Sequence, residues 1–302
     1  MWKNRDAFSA YHPLVNFLYF ALVLVFAMFF THPASQIISL LSALAYAAQL
    51  NGRRAAGKSL LWLLPMMLTA VIVNPAFNHE GATILTYLPT GNPLTLESIL
   101  FGVSAAMMLG AVMVWFMCYT AVMTSDKFIY LFGRIIPALS LVLSMTLRFV
   151  PKFKHQIQVV TEAQRCLGRD VSEGTVWQRT KTAITILYIL VTWALENAIE
   201  TADSMKSRGY GLPGRTAFSI YRFDSRDKMV MLWLAFCGFF ICSGWIAGGF
   251  YWRHYPTVKW APVTPLTVMM QICYLALCLT PVILDREEER TWKHLQESMD
   301  AA

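Results

Sequence analysis

The chain has 302 residues, of which 56% are hydrophobic and only 14% charged, with a mean hydropathy of +0.47. A soluble domain carries about 25% charged residues, so the composition excludes an ordinary soluble globule and indicates a polytopic, all-α membrane protein. The net charge of +7 does not indicate nucleic acid: the basic residues cluster between apolar segments, as in cytoplasmic loops, and no nucleic-acid recognition motif accompanies them.

The amino-terminal Met1-Trp2-Lys3-Asn4-Arg5-Asp6 precedes an apolar run from Leu14 to Phe30. That run exceeds the length of a signal-peptide core and no small-residue cleavage site follows, so it reads as a retained span. Further apolar segments of spanning length occur near 98–123, 229–250 and 264–284, with shorter ones near 36–50 and 59–76. Six spans result. Asn51-Gly52-Arg53-Arg54-Ala55-Ala56-Gly57-Lys58 is a short basic loop and therefore cytoplasmic, whereas the connection from Asn74 to Glu97 lacks Lys and Arg and falls outside. Both termini are then cytoplasmic, in a plasma membrane of prokaryotic type. The chain divides into spans over 1–123, a cytoplasmic region over 124–228, spans over 229–284 and a charged cytoplasmic tail over 285–302. Arg253 and Lys259, in the outside loop 252–260, mildly oppose this assignment.

Within 124–228, two short apolar stretches, 135–145 and 183–193, are expected at the membrane surface or as the apolar starts of longer helices. A helix is predicted over 151–167, with Pro151 in its first turn, Phe153, Ile157, Val160 and Leu167 on one face, and Gly168 as a left-handed stop. A second is predicted from about Trp193 to Arg208, roughly 24 Å long. Leu195, Ala198, Ile199, Ala202 and Met205 form its apolar face. Glu196, Glu200 and Asp203 lie early, and Lys206 and Arg208 occupy the last turn, where cations suit the helix dipole. Gly209, Gly211 and Pro213 end it. Two helices in tandem, each running through a basic residue onto a glycine, point to docking on a partner.

Ser207-Arg208-Gly209-Tyr210-Gly211, at the end of a helix rich in Glu and Ala, resembles the second signature of the T component of energy-coupling factor (ECF) transporters, the EcfT/CbiQ-like family. Ala163-Gln164-Arg165 with Gly168 resembles the lead-in and glycine of the first signature, but Cys166-Leu167 stands where a small residue and the arginine are expected. Tyr11-His12-Pro13 resembles the start of the family's first span. The resemblance covers about 120–284. It implies a coupling scaffold whose two helix tips, at Arg165, Gly168 and Arg169 and at Ser207, Arg208 and Gly209, contact two ABC ATPase subunits. Phe153, Ile157, Leu195, Ile199 and Ala202 would pack the helices, and a substrate-binding S component for a vitamin or metal ion would sit on the same scaffold. With Leu167 in the arginine's place, Arg165 or Arg169 must carry any charge at the first tip.

Other patterns carry less. Gly209-Tyr210-Gly211-Leu212-Pro213-Gly214-Arg215-Thr216 lacks the lysine of a P-loop, and Pro213 removes a backbone donor. Asn74-Pro75-Ala76 copies a water-channel signature but is explained by a turn in the outside loop. His32, His79, Glu80, Glu97 and His254 are scattered and read as solvated loop residues. The six cysteines form no CxxC. No cofactor or metal is expected. Arg148 is expected to snorkel, Glu196 to open a polar face, and Trp115, Tyr119, Trp252 and Tyr255 to line the membrane interface. The alternatives are a standalone secondary transporter, which would show an internal repeat, and a polytopic membrane enzyme, for which no constellation assembles.

Overall fold

The structure is a computed structural model and describes residues 6–87, 91–133, 136–210, 212, 221–260 and 262–300. The helices are α1 (Pro13–Phe29), α2 (Pro33–Asn51), α3 (Arg53–Phe77), α4 (Leu96–Val122), α5 (Ser125–Gly133), α6 (Pro137–Cys166), α7 (Val176–Ser207), α8 (Ser225–Ile246) and α9 (Pro265–Asp300). Two small antiparallel hairpins, β1 (Ile84–Tyr87) with β2 (Pro93–Thr95) and β3 (Trp252–Arg253) with β4 (Lys259–Trp260), complete the elements. A bilayer offers no partner for free backbone groups, and helices satisfy theirs internally. Five helices, α3, α4, α7, α8 and α9, are long and apolar enough to cross a membrane, and α1 is a shorter apolar helix. The protein is an all-α, multi-pass membrane protein.

The chain folds as two compact units, one of Met1–Lys127 with Tyr221–Ala302 and one of Phe128–Ile220. In the first, α4 packs against α1, α2 and α3, while α9 packs against α2 and α8. Aromatic rings fill the centre: Phe8, Tyr19, Phe20, Tyr46 and Trp115 are all fully buried and meet mostly edge to face. Small residues let the backbones approach. A Cβ added at Gly102 of α4 would lie 3.0 Å from the Val71 carbonyl oxygen of α3, and one at Gly110 would lie 2.9 Å from Met67 Sδ. Polar side chains join the helices between these contacts. Ser104 Oγ donates to Gln36 Oε1 at 2.9 Å, Trp115 Nε1 to Ser39 Oγ at 3.0 Å, and Ser35 Oγ to Gln271 Oε1 at 3.0 Å.

The segment 6–12 is tied to four elements. Tyr46 Oη donates to Asp6 Oδ2 at 2.7 Å, the Ala7 amide donates to Asp285 Oδ1 at 2.8 Å, and Gln49 Nε2 donates to the other oxygen of Asp285. Burial pushes the Asp6 carboxyl above its ordinary range, and the nearby Asp285 adds to the shift. Lys127 Nζ donates to the carbonyls of Ser9 (2.5 Å) and Val122 (3.0 Å), and the His12 amide donates to Asp227 Oδ1 at 3.0 Å. The Tyr11-His12-Pro13 motif thus starts α1 with Pro13 at its first position, His12 Nδ1 accepting from the Leu14 amide at 3.2 Å. His32 and Pro33 repeat the device at the start of α2, with the same 3.2 Å bond to Ala34.

Several expectations are corrected. Asn74 and Pro75 lie in the last turn of α3, not in a loop, and Asn74 Nδ2 donates to the Ser98 carbonyl of α4 at 2.9 Å. Trp115 is a core residue rather than an interfacial one, because α2 offers Ser39 to its indole N–H. Glu97 and His254 are buried, not solvated. Thr83 donates to Glu97 through its amide (3.2 Å) and its hydroxyl (2.9 Å), and His254 Nε2 accepts from Trp252 Nε1 at 3.0 Å. Burial lowers the His254 pKa. Pro151 sits inside α6, which begins at Pro137, and α7 begins at Val176. Of the two readings of the short apolar stretches, the second holds: 137–145 opens α6 and 183–193 lies within α7, while residue 135 falls outside the described residues. The P-loop-like segment beyond Gly209 lies, except for Tyr210 and Leu212, outside the described residues.

The close α3–α4 contact gives a direct test. Gly102→Val should lower the thermal midpoint in detergent by several degrees, because the added carbons meet backbone at 3.0 Å. Gly57→Ala, within the same helix α3 and with open space around the added carbon, should hold the midpoint or raise it slightly.

Candidate functional site: two matched helix tips

The second unit is built on an antiparallel helical hairpin. α6 and α7 are joined by the turn over 167–175, and α7 opens with a capping box: the Gln178 amide donates to Thr175 Oγ1 (3.4 Å) and the Thr175 amide to Gln178 Oε1 (3.0 Å). The seam is narrow. Val160 of α6 is buried against Ile186 and Leu190 of α7. Phe153 meets Trp193 edge to face at 5.4 Å between ring centroids, and Lys152 Nζ donates to Asn197 Oδ1 at 2.5 Å while lying 5.3 Å over the Trp193 ring. Pro151 gives up one helical hydrogen bond beside this seam. Phe153 takes part in the seam as a packing residue. Ile157 is half exposed, Ala202 is exposed, and Leu195 and Ile199 are 62% and 65% exposed on the outer face of α7. Trp193, Ile186 and Leu190, which the sequence reading did not single out, stand in the seam; the i, i+4, i+7 spacing of 186, 190 and 193 was the available signal.

Both helices end in the same motif. At the first tip Gly168 has φ +72°; its amide donates to the Arg165 carbonyl at 2.9 Å and the Arg169 amide donates to the Gln164 carbonyl at 3.0 Å. At the second, Gly209 has φ +77°, its amide donates to the Lys206 carbonyl at 3.0 Å, and the Tyr210 amide donates to the Met205 carbonyl at 3.0 Å. These paired bonds define a Schellman cap, in which a left-handed residue, best supplied by glycine, lets two amides satisfy the last carbonyls. The match places Arg165 in register with Lys206, Cys166 with Ser207, Leu167 with Arg208, Gly168 with Gly209 and Arg169 with Tyr210. Because the hairpin is antiparallel, its two tips lie at opposite ends. The first tip lies beside the early turns of α7, near Gln178 and Lys181, and at 1.5 Å per residue from there to Arg208 the tips are about 40 Å apart.

The surroundings of the tips differ. Arg208 lines a cleft of about 960 Å³ together with Arg148, Lys152 and Glu200, over the apolar Met145 and Phe149. Arg148 and Glu196 are both exposed. At the first tip a hollow of about 490 Å³ is bordered by Arg169, Asp170, Glu173 and Lys181, two cations and two carboxylates. Arg165 Nε pairs with Asp170 Oδ2 at 3.1 Å. Bonds from Ser172, whose amide donates to Asp170 Oδ1 at 2.9 Å, together with the charge of Arg165, hold Asp170 below the usual carboxylate range. Among the described residues, no group of three His, Cys, Asp or Glu side chains converges as a metal site would require.

The chain is thus a multi-pass helical membrane protein with two matched helix tips on one hairpin. A family model described as "Cobalt transport protein" (CbiQ) matches residues 9–218. The chain belongs to this family. It is 36% identical over 107 residues to the energy-coupling factor transporter transmembrane protein EcfT of Lacticaseibacillus paracasei, covering 35% of this chain and 39% of that protein. Over 94 residues it is 36% identical to EcfT of Bacillus selenitireducens (31% and 35% covered), and over 95 residues 35% identical to EcfT of Lactococcus lactis subsp. cremoris (31% and 36%). The chain thus spans well under half the length of the curated relatives it matches.

The caps predict a local effect. Gly168→Ala and Gly209→Ala should each cost about 1 kcal/mol of local stability, read as faster hydrogen exchange at the Arg169 and Tyr210 amides. The Gly209 substitution should cost more, since its added carbon would also meet Leu212 Cδ1 at 3.1 Å whereas Gly168 has open space.

Proposed function

We propose that the chain is the transmembrane coupling scaffold of an ECF-type ABC importer. The observation that carries this reading is the antiparallel hairpin with two identically capped tips at its opposite ends. One rigid pair of helices can then touch two ATPase subunits at once. Arg165, Gly168 and Arg169 form one contact, and Ser207, Arg208 and Gly209 the other. ATP binding in the partners draws their grooves together, and the helices carry that motion as units into the membrane. The chain itself performs no chemistry and holds no cofactor. In this reading residues 124–228 and both termini lie on the cytoplasmic side, where the ATPases are, and α7, although long and apolar enough to cross a membrane, lies along its surface so that both tips face them.

The apolar stripe on α7, comprising Ile184, Tyr188, Val191, Leu195 and Ile199, is exposed among the described residues. It supplies the face for lipid and for a substrate-binding S component. That component selects the cargo, a vitamin or a transition-metal ion.

Arg208→Glu reverses the charge at an exposed cap without touching the seam. It should abolish ATPase co-purification and coupled uptake, with membrane insertion and thermal midpoint unchanged. Retention of ATPases, hydrolysis rate and uptake at wild-type levels would refute the coupling role.

A further inference from the structure

The two tips share a backbone but not a chemistry. In cap register, the position of Arg208 at the second tip is held at the first by Leu167, which is 70% exposed. Neither neighbouring arginine replaces it. Arg165 stands two residues earlier, in register with Lys206, and its guanidinium is turned to Asp170 at 3.1 Å. Arg169 follows the glycine, in register with Tyr210, and borders a hollow whose cations and carboxylates balance. The second tip is the opposite case: Arg208, Arg148 and Lys152 face one carboxylate, Glu200, across their cleft. A large apolar side chain held out on a fixed cap, with the charges around it already matched, is suited to an apolar pocket and poorly suited to an acidic one.

We propose that the first tip docks through Leu167 into an apolar pocket on its ATPase, while the second docks through Arg208 onto an acidic surface. The two docking sites are therefore not interchangeable, and an ATPase pair sits on this scaffold in one order. This rests on the coupling reading above and specifies the chemistry of one of its two contacts. The first contact draws its strength from burial of the leucine and is insensitive to salt. The second is weakened by salt, as charge pairs at an accessible surface are.

The test uses the tagged full-length chain with the ABC ATPase subunits that co-purify with it, and measures their dissociation constant for Leu167 variants. Leu167 is exposed and its backbone is an ordinary cap (φ −86°, ψ 10°), so substitutions there leave the fold intact; an unchanged thermal midpoint confirms this. Leu167→Arg, which makes the first tip like the second, should weaken association by about tenfold or more, the loss expected when a buried leucine contact is removed. Leu167→Met should keep it within about twofold. Association that is unchanged or tightened in Leu167→Arg would overturn the proposal, since the first groove would then accept an arginine or not touch this residue. A wild-type chain that retains no ATPase would remove the coupling reading and this inference with it.

Discussion

Val160, Ile186 and Leu190 close a narrow apolar seam between α6 and α7, extended by the Phe153–Trp193 ring contact and the Lys152–Asn197 bond. Each contact is modest. Together they fix the direction in which two long helices run past each other, and direction is what the tips require. Had α6 and α7 run parallel, both glycine caps would fall at the same end and address a single site. The antiparallel seam puts them a helix length apart, and the capping box at Thr175 and Gln178 together with the two Schellman motifs keeps the ends from fraying. The seam buries little of either helix and leaves a broad apolar face of α7 uncovered. Such a face suits a part that works against lipid and other subunits.

The other unit is built differently. Its helices are packed by small residues, fully buried aromatic rings and inter-helix hydrogen bonds, the means available where hydrophobicity alone does not favour one helix contact over another. The segment 6–12 adds a set of directed bonds. It links α2 and α9 through Asp6, Tyr46, Asp285 and Gln49, and meets Lys127 and Asp227, which flank the points where the chain leaves and re-enters this unit. Tyr46 bonds one oxygen of Asp6, and Ala7 and Gln49 bond both oxygens of Asp285, which offsets part of the cost of burying these carboxylates and holds the segment in one place.

Much of this was legible in the sequence, for reasons tied to particular residues. The tips were legible because glycine after a basic last turn is a local signal, and Gly168 and Gly209 both adopt the left-handed conformation expected of them. The unlike residues at one cap position, Leu167 and Arg208, were visible as a departure at the first motif. The cap bonds add the register, which matches Arg165 to Lys206 and Arg169 to Tyr210. The helix starts were left open because the apolar stretches were equally readable as surface helices or as the starts of longer ones, and because Pro151, a natural first-turn residue, sits in a helix interior. Trp115, Glu97 and His254 were misplaced because their partners, Ser39, Thr83 and Trp252, come from elements that meet them only in the folded chain or whose side-chain aim no periodicity encodes.

The account turns on the tips standing apart on one rigid hairpin. Spin labels at positions 167 and 208 of the full-length protein, measured by double electron–electron resonance in a bilayer, test this directly. The antiparallel hairpin predicts one narrow distance distribution centred near 40 Å, from the rise of α7 between its first turns and its end. A distribution centred below about 25 Å, fewer than about 17 residues of helix, would contradict it, because both tips would then address a single site.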